Sequence, residues 1–155
     1  MKAVNRFLQA GFARVHSTLQ AMRSAPPAEY LQVTNATRQT VLASYVKVAD
    51  HGATRRKGLL GRKGLGQGEG LWIVPCESVH TIGMQFSIDL VYLDRNRTVK
   101  KVVCDVPRWR LSACFSAHSV LELAAGSVSP TQTKPGDQLE FSPVASPSNR
   151  PLDGD

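Results

Sequence analysis

The sequence predicts a mainly β protein: a small β-sandwich, jelly-roll-like or barrel-like domain with one or two short helices, plus an N-terminal amphipathic helix. Three observations predict this fold class. Short segments rich in β-branched and aromatic residues alternate with turn residues. The 155 residues suffice for one domain with a core of its own. The composition, 42% hydrophobic and 20% charged, is typical of a globular chain.

We divide the chain into four parts by composition and periodicity. They are an N-terminal amphipathic basic helix (1–24), a linker (25–33), a β-rich domain (34–142) and a disordered tail (143–155). The tail is rich in Pro, Ser, Gly and Asp, which is typical of a disordered terminus.

The N-terminal helix is predicted from one apolar stripe. Its residues recur at spacings of three and four, and Pro26-Pro27 ends the helix. The stripe fits three uses: packing on this chain or a second copy, binding to an anionic membrane surface, or a transit peptide. The stripe consists of Val4, Leu8, Phe12, Val15, Leu19 and Met22, with Lys2, Arg6 and Arg14 on the opposite side.

The β-rich domain opens with a strand at 41–49, which is rich in β-branched residues. A turn and a short helix follow within 50–61, with Asp50 or Thr54 as the cap and Gly61 as the stop.

The glycines between 61 and 70 lack the order and the lysine of a phosphate-binding loop, so we predict a surface loop there. A short strand at 71–74 follows it.

The second half of the domain contains a predicted hairpin, 88–93 with 98–103, whose turn places Asn96 in the left-handed region. A strand at 120–124 precedes a helix start at Ser129, where a serine cap, a proline and a glutamine form a capping box. The final predicted strand is 138–141.

Charge and cysteine content narrow the class of protein. The net charge of +7 permits contact with phosphates, anionic lipids or acidic proteins, or simply a solvated surface. Three cysteines without a C-x-x-C motif exclude a secreted disulfide framework. Neither a signal peptide nor an apolar run of membrane-spanning length is visible, so we expect a soluble, cytoplasmic protein.

Ordered short motifs carry a resemblance to a known family. They are Gly58-Leu-Leu-Gly-Arg62, Gly68-Glu-Gly-Leu71, His80-Thr-Ile-Gly-Met84, Ile88-Asp-Leu90, Leu93-Asp94, Leu121-Glu-Leu-Ala-Ala-Gly126 and Gly136-Asp137. Together the motifs resemble the prokaryotic family named domain of unknown function 192, over about residues 34–142.

The resemblance implies a compact, mostly β fold with one short helix. It implies no established activity and no catalytic residues. Two departures from the family pattern stand out. Many relatives carry Trp-Met-Lys-Asn near His80–Met84, and a glycine is usual where Arg97 stands.

The sharpest chemical pattern is a repeated spacing, Cys76-x-x-x-His80 and Cys114-x-x-x-His118. Two thiolates and two imidazoles could close a tetrahedral zinc site, although such sites usually pair like ligands. Alternatively, Cys76 is a nucleophile with His80 as its base, oriented by Asp89 or Glu122. A third possibility is a Cys76–Cys114 disulfide in an exported copy of the domain, which would leave Cys104 unpaired. Free cysteines are otherwise most often small buried hydrophobic residues.

We assign no catalytic, cofactor or metal residue from these patterns. A buried Glu122 would need a partner such as Arg62 or Arg110, and the two tryptophans are expected in the core or at its rim. The candidate ligand-loop residues are Cys76, His80, Met84, Asp89, Trp109, Cys114, His118 and Glu122.

The leading hypothesis is a non-catalytic binding or accessory module that acts through its loops, without a cofactor. Its partner is left open; an acidic protein or an envelope component suits the basic surface. One alternative is a zinc- or thiol-dependent enzyme. The other is a basic binder of nucleic acid or of a membrane surface, the latter through residues 1–24. Nucleic acid is the less favoured partner, because we expect no aromatic side chain among the charges to be free for base stacking.

Overall fold

The computed structural model describes residues 29–146, so the predicted helix at 1–24 and the tail from 147 lie outside the described residues. Within them, none of the helices has the length and apolar character needed to cross a membrane. The elements are β1 (Tyr30–Asn35), β2 (Thr40–Ala49), α1 (Gly52–Lys57), β3 (Glu69–Ile73), β4 (Ser78–His80), β5 (Ile88–Leu93), β6 (Val99–Val106), β7 (Leu111–Ala113), β8 (Ser119–Ala124), a 3₁₀ turn (Ser129–Thr131) and β9 (Leu139–Val144).

The mainly β prediction is confirmed. Seven strands form one mixed sheet in the order β6-β5-β8-β3-β2-β1-β9, and β4 pairs with β7 in a small second sheet. Only the β2–β3 pair of the large sheet is parallel. The first and last strands in this order meet at one antiparallel bridge, Thr98 with Gln138. The sheet therefore curls towards a barrel without closing.

Both faces of the large sheet are buried at its central strands. One apolar cluster joins residues from the two ends of the sheet, such as Val99 and Leu139, and therefore lies inside the curl. The opposite face carries a second cluster around Ile88 and Val120, which the segment after α1 covers with Leu59. Every residue of β5 and of β8 is buried as a result.

The strands pack closely enough at Gly70 to exclude a side chain. A Cβ atom there would lie 2.8 Å from Leu123 Cδ2 and 3.1 Å from the Glu122 carbonyl oxygen. Among the glycines at 61–70, this one is required by packing in the sheet.

The strands extend beyond the predicted domain limits. β1 begins at Tyr30, inside the segment predicted as a linker, and β9 ends at Val144, inside the predicted tail. The reason is mutual pairing, because Tyr30 lies opposite Val144 in the β1–β9 ladder. Each segment supplies the hydrogen bonds that the other lacks.

The helix caps differ from those predicted. Helix α1 is capped by His51 rather than Asp50 or Thr54, and its C-cap is Gly58 rather than Gly61. The cap of the 3₁₀ turn is Val128, and Ser129 is already its first residue. The predicted capping box at Ser129 is therefore wrong.

The β5–β6 turn takes its left-handed residue at Arg97 (φ 65°), not at Asn96. The Asp94 side chain fixes this turn, because its Oδ1 accepts the N–H groups of Asn96 (2.9 Å) and Thr98 (3.0 Å). This is the position at which the family resemblance implies a glycine.

A buried polar cluster around Asp137 joins the segment before β9 to β1 and to the turn between β1 and β2. Its Oδ2 accepts hydrogen bonds from Arg38 Nε (2.5 Å), Asn35 Nδ2 (3.0 Å) and the Lys134 N–H (3.0 Å). Burial alone would raise the pKa of Asp137, but these donors outweigh it and lower the pKa to about 2. The Gly136-Asp137 motif is therefore structural.

Replacing Asp137 with Asn should lower the free energy of unfolding at pH 7 by about 2 kcal/mol, because a charged acceptor is lost. A lowered pKa means that the carboxylate stabilises the fold above its ordinary pKa of 3.8, and that this contribution disappears as pH falls towards 2. Urea unfolding should therefore show the Asp137→Asn deficit at pH 7 and a smaller one near pH 2.5. The control is Asp105→Asn at an exposed site. An equal loss of unfolding free energy in this variant would contradict the stabilising role of the Asp137 carboxylate.

Candidate functional site

A cavity of about 180 Å³ lies between α1 with its following loop, strand β4 and the large sheet. Basic side chains of α1 line one side, while β3, β8 and the loop after β4 supply the rest. The lining residues are Arg55, Arg56, Lys57, Gly58, Leu59, Leu60, Ile73, Cys76, Ser78, Val79, His80, Met84 and Glu122.

Glu122 is the buried acid of this cavity. It lies in β8 opposite Leu71 on one side and Leu90 on the other, and it is 4% exposed. Its Oε2 atom has no hydrogen-bond partner within residues 29–146. Burial raises the pKa of Glu122 to about 7, although the positive charge of Arg62 acts in the opposite direction.

Neither predicted partner of Glu122 pairs with it. Arg62 acts on the carboxyl through its charge but forms no ion pair with it in the described part of the chain. Arg110 instead donates to the Trp109 carbonyl oxygen at 3.2 Å. An unpaired buried carboxyl is expensive when ionised, which is the physical reason for its raised pKa.

Cys76 and His80 line the same cavity without forming a catalytic pair. The Cys76 thiol donates to the Ser78 carbonyl oxygen at 3.1 Å. Burial raises the pKa of Cys76, the hydrogen bond to Ser78 lowers it, and the charge of Glu122 raises it further. Because nucleophilic cysteines need a lowered pKa, this environment favours the neutral thiol.

The second Cys-His segment lies beside the first, because the Cys76 N–H donates to the His118 carbonyl oxygen (2.9 Å) and the Cys114 N–H donates to the Glu77 carbonyl oxygen (2.8 Å). The four side chains nevertheless have different surroundings. His118 lines a separate polar cavity of about 340 Å³ together with Glu77 and Asp94. The sulfur of Cys114 lies 3.5 Å from the Ser116 hydroxyl oxygen. Across residues 29–146, no three His, Cys, Asp or Glu side chains are arranged to hold a metal ion. The hypothetical four-ligand zinc site is therefore not assembled.

The remaining candidates have different surroundings. Asp89 is buried, and its carboxylate accepts the N–H groups of Asp105 (2.8 Å) and Val128 (2.9 Å), so it fixes backbone rather than orienting a histidine. Met84 is buried in the wall of the first cavity. Trp109 is 65% exposed, which contradicts its predicted place in the core or at its rim.

The contribution of α1 is not evident from the sequence. There, Arg55, Arg56 and Lys57 are only a run of basic residues, whereas the structure places all three in the wall of the cavity that Glu122 also lines. The available signal was the run of basic residues at the end of a predicted helix. Its position over β8 depends on the fold and could not be read from the run itself.

A family model for DUF192, described as an uncharacterised ACR, matches residues 32–141. The chain belongs to the DUF192 family. No curated protein matches it.

Two solved structures resemble this DUF192 chain in fold. One is a protein of unknown function from Novosphingobium aromaticivorans, with 22% identity, a TM-score of 0.61, and coverage of 76% of this chain and 94% of the other. The second, from Sinorhizobium meliloti, carries the description "putative transcription regulator"; it has 20% identity, a TM-score of 0.65, and coverage of 76% and 97%. Such identities establish the shared fold alone.

Glu122 should make the stability of this DUF192 domain pH-dependent. A folded pKa of about 7 against an ordinary 4.5 means stability is greatest below pH 4.5 and falls as pH rises through 7. That shift corresponds to about 3 kcal/mol. The Glu122→Gln variant lacks this loss, so its unfolding free energy relative to wild type should improve by about 3 kcal/mol between pH 4 and pH 8.

Urea unfolding at both pH values measures this change, and taking the difference cancels the packing cost of glutamine itself. Glu140→Gln, at an exposed position in β9, is the matched control and should show no such change. A constant difference between Glu122→Gln and wild type from pH 4 to pH 8 would refute a raised pKa.

Proposed function

We propose that this DUF192 domain is a non-catalytic binding module that holds a small ligand in the Glu122 cavity. The ligand class that suits the cavity carries a hydrogen-bond donor, such as an amine, at one end and an anionic group at the other. The observation that carries the proposal is the buried Oε2 of Glu122, which lacks a partner among the described residues.

The energetic argument begins with that oxygen. Buried polar atoms are almost always hydrogen-bonded, to protein, water or a ligand, because an unmet group loses its hydration without compensation. Glu122 lines a cavity, so a hydrogen-bond donor of a ligand bound there can approach the Glu122 carboxyl. A cationic amine would favour the ionised carboxylate and so bring the raised pKa back towards its ordinary range.

The anionic end of the ligand is inferred from α1. Arg56 and Lys57 are exposed at the cavity, and Arg55 is half-buried there, with its guanidinium donating to the Asp50 carbonyl oxygen at 3.0 Å. These cations and Glu122 line the same cavity, so a ligand in it could contact both. The cavity volume of about 180 Å³ is below the usual range for drug-sized ligands, so a molecule of a few heavy atoms is the better fit.

The thiol- and zinc-enzyme alternatives gain no support from these surroundings. A thiol whose pKa is raised by burial is a poor nucleophile, and the partner of Cys76 is a carbonyl oxygen rather than an imidazole. Ligand binding needs neither feature.

Calorimetric titration at pH 8 tests the proposal with two amphoteric probes, β-alanine and phosphoethanolamine. Either probe should bind more tightly than propionate, which lacks the amine, and ethylamine, which lacks the anion. Glu122→Gln should weaken binding at least about tenfold, since a charge-assisted hydrogen bond is lost. Affinity in the wild type should also rise as pH increases through 7, as Glu122 ionises.

Glu140→Gln and Lys100→Gln are matched controls at exposed positions away from the cavity. They should bind the probes as wild type does. Equal binding by Glu122→Gln and wild type, or no binding of either probe, would contradict the proposal.

A further inference from the structure

The small β4–β7 sheet presents an apolar face to solvent. Side chains alternate along a strand, and Leu111 lies opposite His80, so these two residues point away from the core while Val79 packs into it. Leu111 is 78% exposed, and Phe115, four positions further along, is 84% exposed. Neither side chain is buried against the rest of the described domain.

Two further apolar side chains border this face. Trp109 precedes β7 and is 65% exposed, and Ile82 follows β4 and is 41% exposed. The Trp109 N–H donates to the Thr81 carbonyl oxygen (3.1 Å), which brings the two loops together. We name the set of Ile82, Trp109, Leu111 and Phe115 the apolar face.

The backbone holds Trp109 in an unfavourable conformation. Its φ of 62° lies in the left-handed region, which a bulky side chain rarely adopts. The buried Thr81 maintains it: its hydroxyl donates to the Pro107 carbonyl oxygen (2.7 Å) and accepts the Arg110 N–H (2.9 Å). Strain of this kind persists where the surrounding structure imposes it, and it is common at binding sites.

The surroundings of the apolar face carry more cations than acids, the nearby exposed acids being Asp105 and Glu77. Arg108 and Arg110 flank Trp109, and both are exposed. Residues 106–121 contain neither Asp nor Glu. Lys101 adds a further cation, with its ammonium donating to the Ala113 carbonyl oxygen at 2.9 Å.

We propose that the apolar face docks the domain on an anionic lipid surface. Aromatic and aliphatic side chains would enter the boundary between headgroups and acyl chains, and the arginines would contact lipid phosphates. A single-stranded nucleic acid would use the tryptophan and the arginines, but it offers nothing to the exposed Leu111 and Ile82. Exposed aliphatic side chains next to positive charges therefore favour an anionic lipid surface over a single-stranded nucleic acid. This surface is separate from the Glu122 carboxyl, and the inference stands without the proposed ligand.

Co-sedimentation of the full chain with vesicles tests this inference, using equal parts phosphatidylglycerol and phosphatidylcholine. Wild type should bind these vesicles and should bind pure phosphatidylcholine at least tenfold more weakly. Trp109→Ser combined with Leu111→Ser should weaken binding at least tenfold. The matched control, Val41→Ser combined with Val48→Ser, changes two exposed apolar residues of β2 and should bind as wild type does.

Charge is tested in the same assay. Arg108→Ser with Arg110→Ser should weaken binding several-fold, whereas Arg95→Ser with Lys100→Ser, also at exposed positions, should change it less. Glu122→Gln should leave vesicle binding unchanged, which separates this surface from the cavity. Circular dichroism confirms that each variant is folded.

Three results would overturn the inference. The first is that the wild type does not bind the anionic vesicles. The second is that the Trp109→Ser/Leu111→Ser variant binds them as tightly as the wild type does. The third is that Trp109 is needed for binding a single-stranded oligonucleotide, or for self-association, but not for binding vesicles.

Discussion

Burial of the central strands from both sides is the constraint on which the rest of the structure depends. All six residues of β5 and all six of β8 are buried, because the curled sheet encloses one cluster and the segment after α1, together with the β4–β7 region, covers the other. A polar side chain in these strands therefore has no access to bulk water. Such a side chain must form its hydrogen bonds inside the protein, or it remains without a hydrogen-bond partner at a free-energy cost.

Two acids meet this constraint in opposite ways. Asp89 in β5 accepts two backbone N–H groups and so holds the β6 bulge region and the turn before Ser129 in place. Glu122 in β8 has a buried oxygen with no such donor within the described residues, and its pKa rises to about 7. The first acid is a structural element; the second is the basis of the binding proposal. The layer that covers Glu122 also builds the β4–β7 sheet, whose outward face supports the lipid inference.

The sequence predicted the longer strands of the fold and part of the site. Strands β2, β5 and β8 are runs of β-branched and apolar residues, so their local pattern was sufficient. Strands β4 and β7 have three residues each and depend on pairing across about thirty residues of chain, which no local pattern reveals. β1 was missed because its pairing with β9 joins the two ends of the described chain.

The sequence identified several residues of the site but not how they are arranged in space. Glu122 stood out as an acid between leucines, and Cys76, His80 and Met84 also line its cavity. The two Cys-His segments lie side by side through backbone hydrogen bonds, but equal spacing along the chain does not determine where side chains point, and no metal-ligand set forms within residues 29–146. The basic residues of α1 were recognisable only by charge. Trp109 was misplaced because apolarity predicts burial, whereas the hydrogen bonds of Thr81 hold this side chain outside.

An NMR titration of the side-chain carboxyl carbon of Glu122 in the unliganded protein tests most directly whether this carboxyl is buried and unpaired. We expect a midpoint near pH 7. A midpoint at the ordinary 4.5 would show that the carboxylate is hydrated or paired, and Glu122 would then not be a buried group without a partner.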